Sequence, residues 1–306
     1  MRLEGIHHIT AITADAQRNV DFYAGVMGLR LVKKTVNQDN PTVYHLFFAD
    51  EKGNAGSDLT FFEFPGVPPG LAGAGDAHRI VWRLASHEAL DFWEERLGGA
   101  GTDAERAGGG LRFADPEGLA HELAVVEVPD EPLIADHPEV PSELALRGFH
   151  AVCAYSAEPN ASRTLFEALE FEPVDEHSWE ARGSSRGGLY VYEEPPPKRS
   201  LQGAGSIHHV AWASSIDEHD AWRERAVAGG AKPTPVIDRF YFRSIYFREP
   251  SGVLFEIATL GPGFTVDEPL EHLGEKLSLP PDFEHLRAEV EPNLRPVLNP
   301  RTGSAG

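Results

Sequence analysis

The chain has 306 residues, 41% hydrophobic and 25% charged, a globular profile with room for two ordinary cores. With 27 basic against 48 acidic residues the net charge is −21, a field that repels phosphate backbones and argues against nucleic-acid binding. No apolar run reaches the roughly 20 residues of a membrane-spanning helix. The N-terminus enters a strand pattern without a signal-peptide layout, and a single cysteine precludes an intramolecular disulfide. These features predict a cytoplasmic protein with Cys153 as a small buried hydrophobe.

In chain order, the first element is the strand-like GIHHITAIT (5–13). A helical pattern follows, DAQRNVDFYAGVMG, with Val20, Tyr23 and Met27 at helical spacing and Gly28 as a stop. A short strand carrying Glu63 closes the unit. The same succession returns as AHRIVWRLA (77–85), a helix with Leu90, Trp93 and Leu97 ending at glycines 98–99, and a strand with Glu122. It returns again as GFHAVCAYS (148–156), a helix with Leu165 and Leu169 but no glycine stop, and a strand with Glu193. The last copy is SIHHVAWAS (206–214), a helix with Trp222 and Ala226 stopped at glycines 229–230, and a strand with Glu256.

His7, His78, His150 and His208 align in this comparison, and proline-rich pieces separate the copies. The predicted fold class is therefore α+β. Four βαβββ units, at 1–66, 77–128, 146–195 and 205–261, form two open β-barrel-like domains with pseudo-twofold symmetry. A tail at 262–306 follows, with one short helix expected near 282–290.

Two copies double the histidine. Side chains alternate along a strand, so His208, Val210 and Trp212 form a bulky row suited to the helix-covered side. Ile207, His209, Ala211 and Ala213 form a smaller row suited to an open cleft, and His8 likewise goes with Ile6 and Thr10. Glu256, between Phe255 and Ile257, can project alone. Two imidazoles and a carboxylate make the facial triad that binds non-haem Fe(II). The inner copies carry Arg79 and Ala151 where the outer ones carry His8 and His209. The triad therefore requires the first unit to pair with the fourth, leaving the second to pair with the third. His78 and His150 read as core histidines, and Glu63 stands open as a fourth ligand.

The run IYFREPSGVLFE (245–256) matches the extradiol ring-cleavage signature of the vicinal-oxygen-chelate superfamily: aliphatic, Tyr, two residues, acidic, Pro, any, Gly, a spacer, Glu. The stretch LGPGFTVDEPLEHLGEKLSLPP (260–281) is similar to the end of that superfamily's para-hydroquinone-cleaving branch. Catechol-cleaving members carry a histidine shortly before the signature, where this chain reads VIDRFYFRS and places Arg239. The resemblance implies a ring-cleaving dioxygenase with His8, His209 and Glu256 holding Fe(II), or Mn(II), between units one and four. It implies catalytic roles for Tyr246, Arg239, His208 and His7, with a small aromatic diol and O2 as substrates. Roles for His7 and His208 conflict with strict alternation, so a bulge or a place behind the ligands is needed. A catechol dioxygenase, a glyoxalase-like isomerase or lyase, a thiol-dependent transferase and a metal-free binding protein are the competing readings. Ring substituents and homo-oligomer formation stay open.

Overall fold

A computed structural model describes residues 1–301 and the backbone of 304–305. The first unit comprises β1 (Ile6–Thr13), helix α1 (Ala16–Val20) widening into a π-helical turn at Asp21–Val26, β2 (Arg30–Asn37), β3 (Asn40–Ala49) and β4 (Asp58–Glu63). The second comprises β5 (Ala77–Leu84), α2 (His87–Gly99), β6 (Ala104–Ala107), β7 (Gly110–Ala114) and β8 (Ala120–Val125). The third has β9 (Phe149–Tyr155), α3 (Arg163–Ala168), β10 (Glu172–Pro173), β11 (Ser178–Arg182) and β12 (Gly187–Glu193). The fourth has β13 (Ile207–Ser214), α4 (His219–Ala228), β14 (Ile237–Asp238), β15 (Arg243–Arg248) and β16 (Leu254–Thr259).

The strands form two mixed eight-stranded sheets, ordered β14-β15-β16-β13-β1-β4-β3-β2 and β10-β11-β12-β9-β5-β8-β7-β6. At each centre the first strands of two units run antiparallel, β1 with β13 and β5 with β9. The first unit thus pairs with the fourth and the second with the third, as the histidine argument requires.

Local chemistry accounts for the helices. Asp15 caps α1 by accepting the Arg18 amide, and Ser86 caps α2 by accepting that of Ala89. The expected stops need one adjustment. Gly28 and Gly230 adopt positive φ, but residues 98–99 stay in or at the end of α2 and Gly101 makes the left-handed turn. In the third unit Glu170, at φ 60°, takes the place of the missing glycine.

The bulky rows meet in one core shared by both sheets. Trp212, Val210, Phe255, Trp82, Phe149 and Tyr190 are all buried in it, with Phe171 edge-on to Trp212. Each large apolar side chain buried this way contributes about 1.5–3 kcal/mol. The sheets approach so closely at one seam that side chains are excluded: a Cβ on Gly188 would lie 2.9 Å from the Ile6 backbone nitrogen. Cys153 is buried as expected, in a small cluster with Val81 and Ala151.

The tail returns to the first unit, with helical turns at Pro281–Leu286 and Arg287–Val290 where a short helix was expected. Lys33 of β2 is fully buried and pairs with Asp267 (2.7 Å) and Glu268 of this tail. Among the described residues no helix is long and apolar enough to cross a membrane.

Candidate metal centre

His8 from β1, His209 from β13 and Glu256 from β16 converge where the two outer units meet. The Nε2 atoms of the histidines lie 3.3 Å apart, and Glu256 Oε2 is 3.2 Å from His8 and 2.9 Å from His209. All three side chains are buried. Among the described residues this is the sole group of three metal-ligating side chains close enough to share an ion. His78 instead stacks on Tyr155 and pairs with Glu193.

The doubled histidines are explained by irregular strand pairing. In the β1–β13 ladder Ile6 faces Trp212 and His8 faces Ala211, so His7 is an extra residue; further along, His208 is skipped in the same way. Both are bulges, which turn each first histidine out of strict alternation and lay it against the second. The His7 carbonyl accepts the amide of Gly56 instead of a ladder bond.

His7 Nε2 donates to the Thr259 carbonyl (3.1 Å), leaving its Nδ1 to accept the Nδ1–H of His8 (2.9 Å). Burial, reinforced by the neighbouring His8 charge, pushes His7 down to about 3, so it stays neutral with one ring proton. The same contact recurs between His208 and His209, Nδ1 to Nδ1 at 2.8 Å. Burial, then His209, pushes His208 down to about 4. Each second histidine thus presents an Nε2 lone pair to the centre.

Glu256 completes the set. Its Oε1 accepts a short bond from Ser244, while Oε2 is buried without a hydrogen-bond partner. Burial alone would raise its pKa, but the two imidazoles outweigh that and hold it well below the usual carboxylate range. Three lone-pair donors facing one another in a buried place are unfavourable unless a cation sits among them. The residues present therefore fit a divalent metal.

Glu63 does not join them. Glu256 lies opposite Ala211, two residues beyond His209; the matching place in the first unit, opposite Thr10, belongs to Thr60. Glu63 is three positions further, on the other face of β4, where it accepts the Ala16 amide at the start of α1 (3.0 Å). The glutamates aligned by sequence do not occupy equivalent places, because an odd offset in a strand reverses the face.

A pocket opens from the centre, walled by Phe47, Phe62, Tyr241 and Phe242. Tyr246, cross-strand to Glu256, and Arg239 stand at its edge. Arg239 is anchored by Asp39 (3.0 Å) and donates through Nε to the Tyr246 hydroxyl oxygen (3.3 Å). Burial, then the Glu256 charge, raises Tyr246, keeping its hydroxyl protonated at neutral pH.

Sequence reasoning missed His45, Thr10 and Thr60. His45 of β3 lines the same pocket, and its Nε2 lies 2.9 Å from Thr60 Oγ1. Thr60 Oγ1 is 2.8 Å from Thr10 Oγ1, which is 2.9 Å from His209 Nε2. The signal was present: a polar residue in the run VYHLFF shares a face with Phe47.

Fold, unit pairing and site together define a family: the chain belongs to the glyoxalase/bleomycin resistance protein/dioxygenase superfamily, whose model matches residues 5–123 and 85–257. It is 41% identical over 316 residues to "Putative ring-cleaving dioxygenase MhqA" of Bacillus subtilis, covering 97% of this chain and 100% of the relative. It is 32% identical over 328 residues to the chlorohydroquinone/hydroquinone 1,2-dioxygenase of Sphingobium indicum, covering 98% and 97%. The crystal structure of a "putative dioxygenase" from Bacillus subtilis superposes with a TM-score of 0.90 at 38% identity, covering 97% and 98%. Glyoxalase I from Zea mays shares the fold, with a TM-score of 0.60 at 15% identity, over 84% of this chain and 92% of that one.

Proposed function

We propose that the protein is an Fe(II)-dependent ring-cleaving dioxygenase acting on para-hydroquinones, with O2 as co-substrate and Mn(II) as the competing metal. The observation that carries this reading is the buried set of His8, His209 and Glu256, facing an aromatic-walled pocket. Ferrous iron, held by these three residues, would supply a redox-active Lewis acid beside the pocket. The phenyl rings of Phe62 and Phe242 suit a flat aromatic and exclude water. Arg239, fixed by Asp39, offers a permanent cation to negative charge forming on the ring or on oxygen. Tyr246 acts as a hydrogen-bond donor, its oxygen already engaged by Arg239. His7 and His208 fix the tautomer of the ligands.

The para preference rests on a residue type. A catechol presents two neighbouring oxygens whose protons a histidine near the signature handles, and Arg239 stands there instead, unable to act as a base at neutral pH. Anaerobic reconstitution with Fe(II), followed by oxygen uptake on hydroquinone, methylhydroquinone, chlorohydroquinone and catechol, tests the reading. Faster uptake with any of the first three is expected. Catechol turning over faster than all three would overturn the substrate class but not the metal; no uptake with any of them would overturn the activity.

A further inference from the structure

We propose that Thr35 selects para-hydroquinones by accepting a hydrogen bond from the ring hydroxyl that points away from the metal centre. This role rests on the hydroquinone reading above. Among the described residues lining the pocket, two carry a buried side-chain polar atom with no hydrogen-bond partner: Glu256, at Oε2, and Thr35, at Oγ1. Glu256 belongs to the metal set. Thr35 has no such explanation, and a buried hydroxyl left unpaired costs free energy that a ligand can return.

Thr35 lies on β2, the edge strand of the first sheet, three strands from β1. It faces His45 across the β2–β3 ladder, and His45 faces Phe62 across β3–β4. Residues directly opposite share a face, so one row of side chains runs along the pocket wall from the sheet edge towards β1. The metal-ligating residues come from β1, β13 and β16, beyond the far end of that row. The two oxygens of a para-hydroquinone sit at opposite ends of the ring. When one turns to the metal centre, the other must point away from it. A catechol has its second oxygen beside the first and leaves a ring C–H at the far end.

The polarity of Thr35 is set from outside the metal centre. Lys33 donates to Asp267 Oδ1 (2.7 Å), and Tyr241 gives its hydroxyl proton to Asp267 Oδ2 (2.9 Å). None of these groups is a metal ligand, so the arrangement holds when the metal is bound. Burial, then the Asp267 charge, raise Tyr241 well above its ordinary range, so it keeps that proton. Tyr241 is a polar neighbour of Thr35, and with its proton directed to Asp267 it can only accept. Thr35 can turn its own proton that way and keep lone pairs for a donor in the pocket. The other polar groups nearby are engaged: Asn37 Oδ1 accepts the Asp39 amide (2.9 Å), and Gln38 donates to the Arg239 carbonyl (2.8 Å). A site that hydrogen-bonds a substrate hydroxyl rejects the analogue lacking it, because its own polar group is then left unpaired.

The test compares hydroquinone with 4-methylphenol, in which a methyl group replaces the far hydroxyl, by calorimetric titration of the iron-loaded protein under nitrogen. Wild type should bind hydroquinone roughly 10-fold more tightly. Thr35→Val, equal in shape, should bring that ratio to one or below with iron content unchanged, and Thr35→Ser should keep it. Should Thr35→Val not fold, Thr35→Ala must give the same collapse. In air, Thr35→Val should raise KM for hydroquinone more than it lowers kcat. A wild type that does not distinguish the two ligands, or an unchanged ratio in the hydroxyl-free variant, would overturn the proposal. Should wild type consume no oxygen with any hydroquinone, the activity reading fails, and the binding ratio alone still decides whether Thr35 receives a para hydroxyl.

Discussion

At the scale of single residues, each doubled histidine divides its labour: the second of the pair aims a lone pair at the centre, and the first accepts the Nδ1 proton that keeps it there. Partners of this kind orient ligands and raise their basicity, and losing one costs about 10–100-fold in metal affinity. His208→Phe, close in size, should weaken Zn(II) binding by that factor in a chelator competition, with the fold intact by circular dichroism. His209→Ala and Glu256→Gln should remove binding altogether. Glu63→Gln should leave it unchanged, since Glu63 serves the start of α1. Equal metal loss in Glu63→Gln and Glu256→Gln would restore a four-ligand site. Alternation alone picked out His8, His209 and Glu256, because a lone polar residue in a small-residue row can be read from a sequence. It could not assign His7 and His208, since the bulges that reorient them carry no distinctive residue type.

Between elements, the second and third units are locked by a buried ionic clasp. Arg83 of β5 donates to Asp130 (2.5 Å) in the segment after β8 and to the Gly187 carbonyl (2.6 Å) at the start of β12. Arg182 of β11 reaches the other Asp130 oxygen (2.6 Å). Burial pushes the Asp130 pKa up, but the hydrogen bonds from Arg182, the Gly187 amide and Arg83 outweigh it and hold it at about 2. Removing the carboxylate strands Arg83, so Asp130→Asn should cost about 3–5 kcal/mol, read from urea midpoints. The folded pKa lies below the unfolded value of about 3.9, so this stability is present in full above that pH and lost as pH falls through about 2. The wild-type and Asp130→Asn midpoints should therefore converge in strong acid; a constant gap would show that the charge is not what stabilises the clasp. Such long-range pairs have no local pattern, whereas strand, helix and closing strand were legible from periodicity in every unit. Glu170 falls between these cases: the helix end was legible, but not that a glutamate would accept the left-handed turn there.

For the whole molecule, one fold is built twice and carries one site. The four places that hold His8, His209, Glu256 and Thr60 in the first sheet hold Arg79, Ala151, Val191 and Glu122 in the second, by the same register. The first pair of units leaves its carboxylate facing two lone pairs, which demands an external cation. The inner pair supplies its own: the Arg79 guanidinium sits 3.1 Å from Glu122 and also meets Glu193. That contrast was legible, since Arg79 and Ala151 stand at the ligand positions in the sequence itself. The expected metal content is therefore one equivalent per chain. Arg79→Met should be destabilised by about 1–3 kcal/mol, because Glu122 and Glu193 each lose one of two partners in a half-buried setting, keeping only Arg112 and His78. It should still hold one equivalent after dialysis, for the two imidazole places, at Ala151 and at the substituted Arg79, then offer no imidazole, and carboxylates alone bind divalent ions weakly. A second equivalent retained by Arg79→Met, and lost again in Arg79→Met/Glu122→Gln, would show that the guanidinium blocks a working site rather than replacing one.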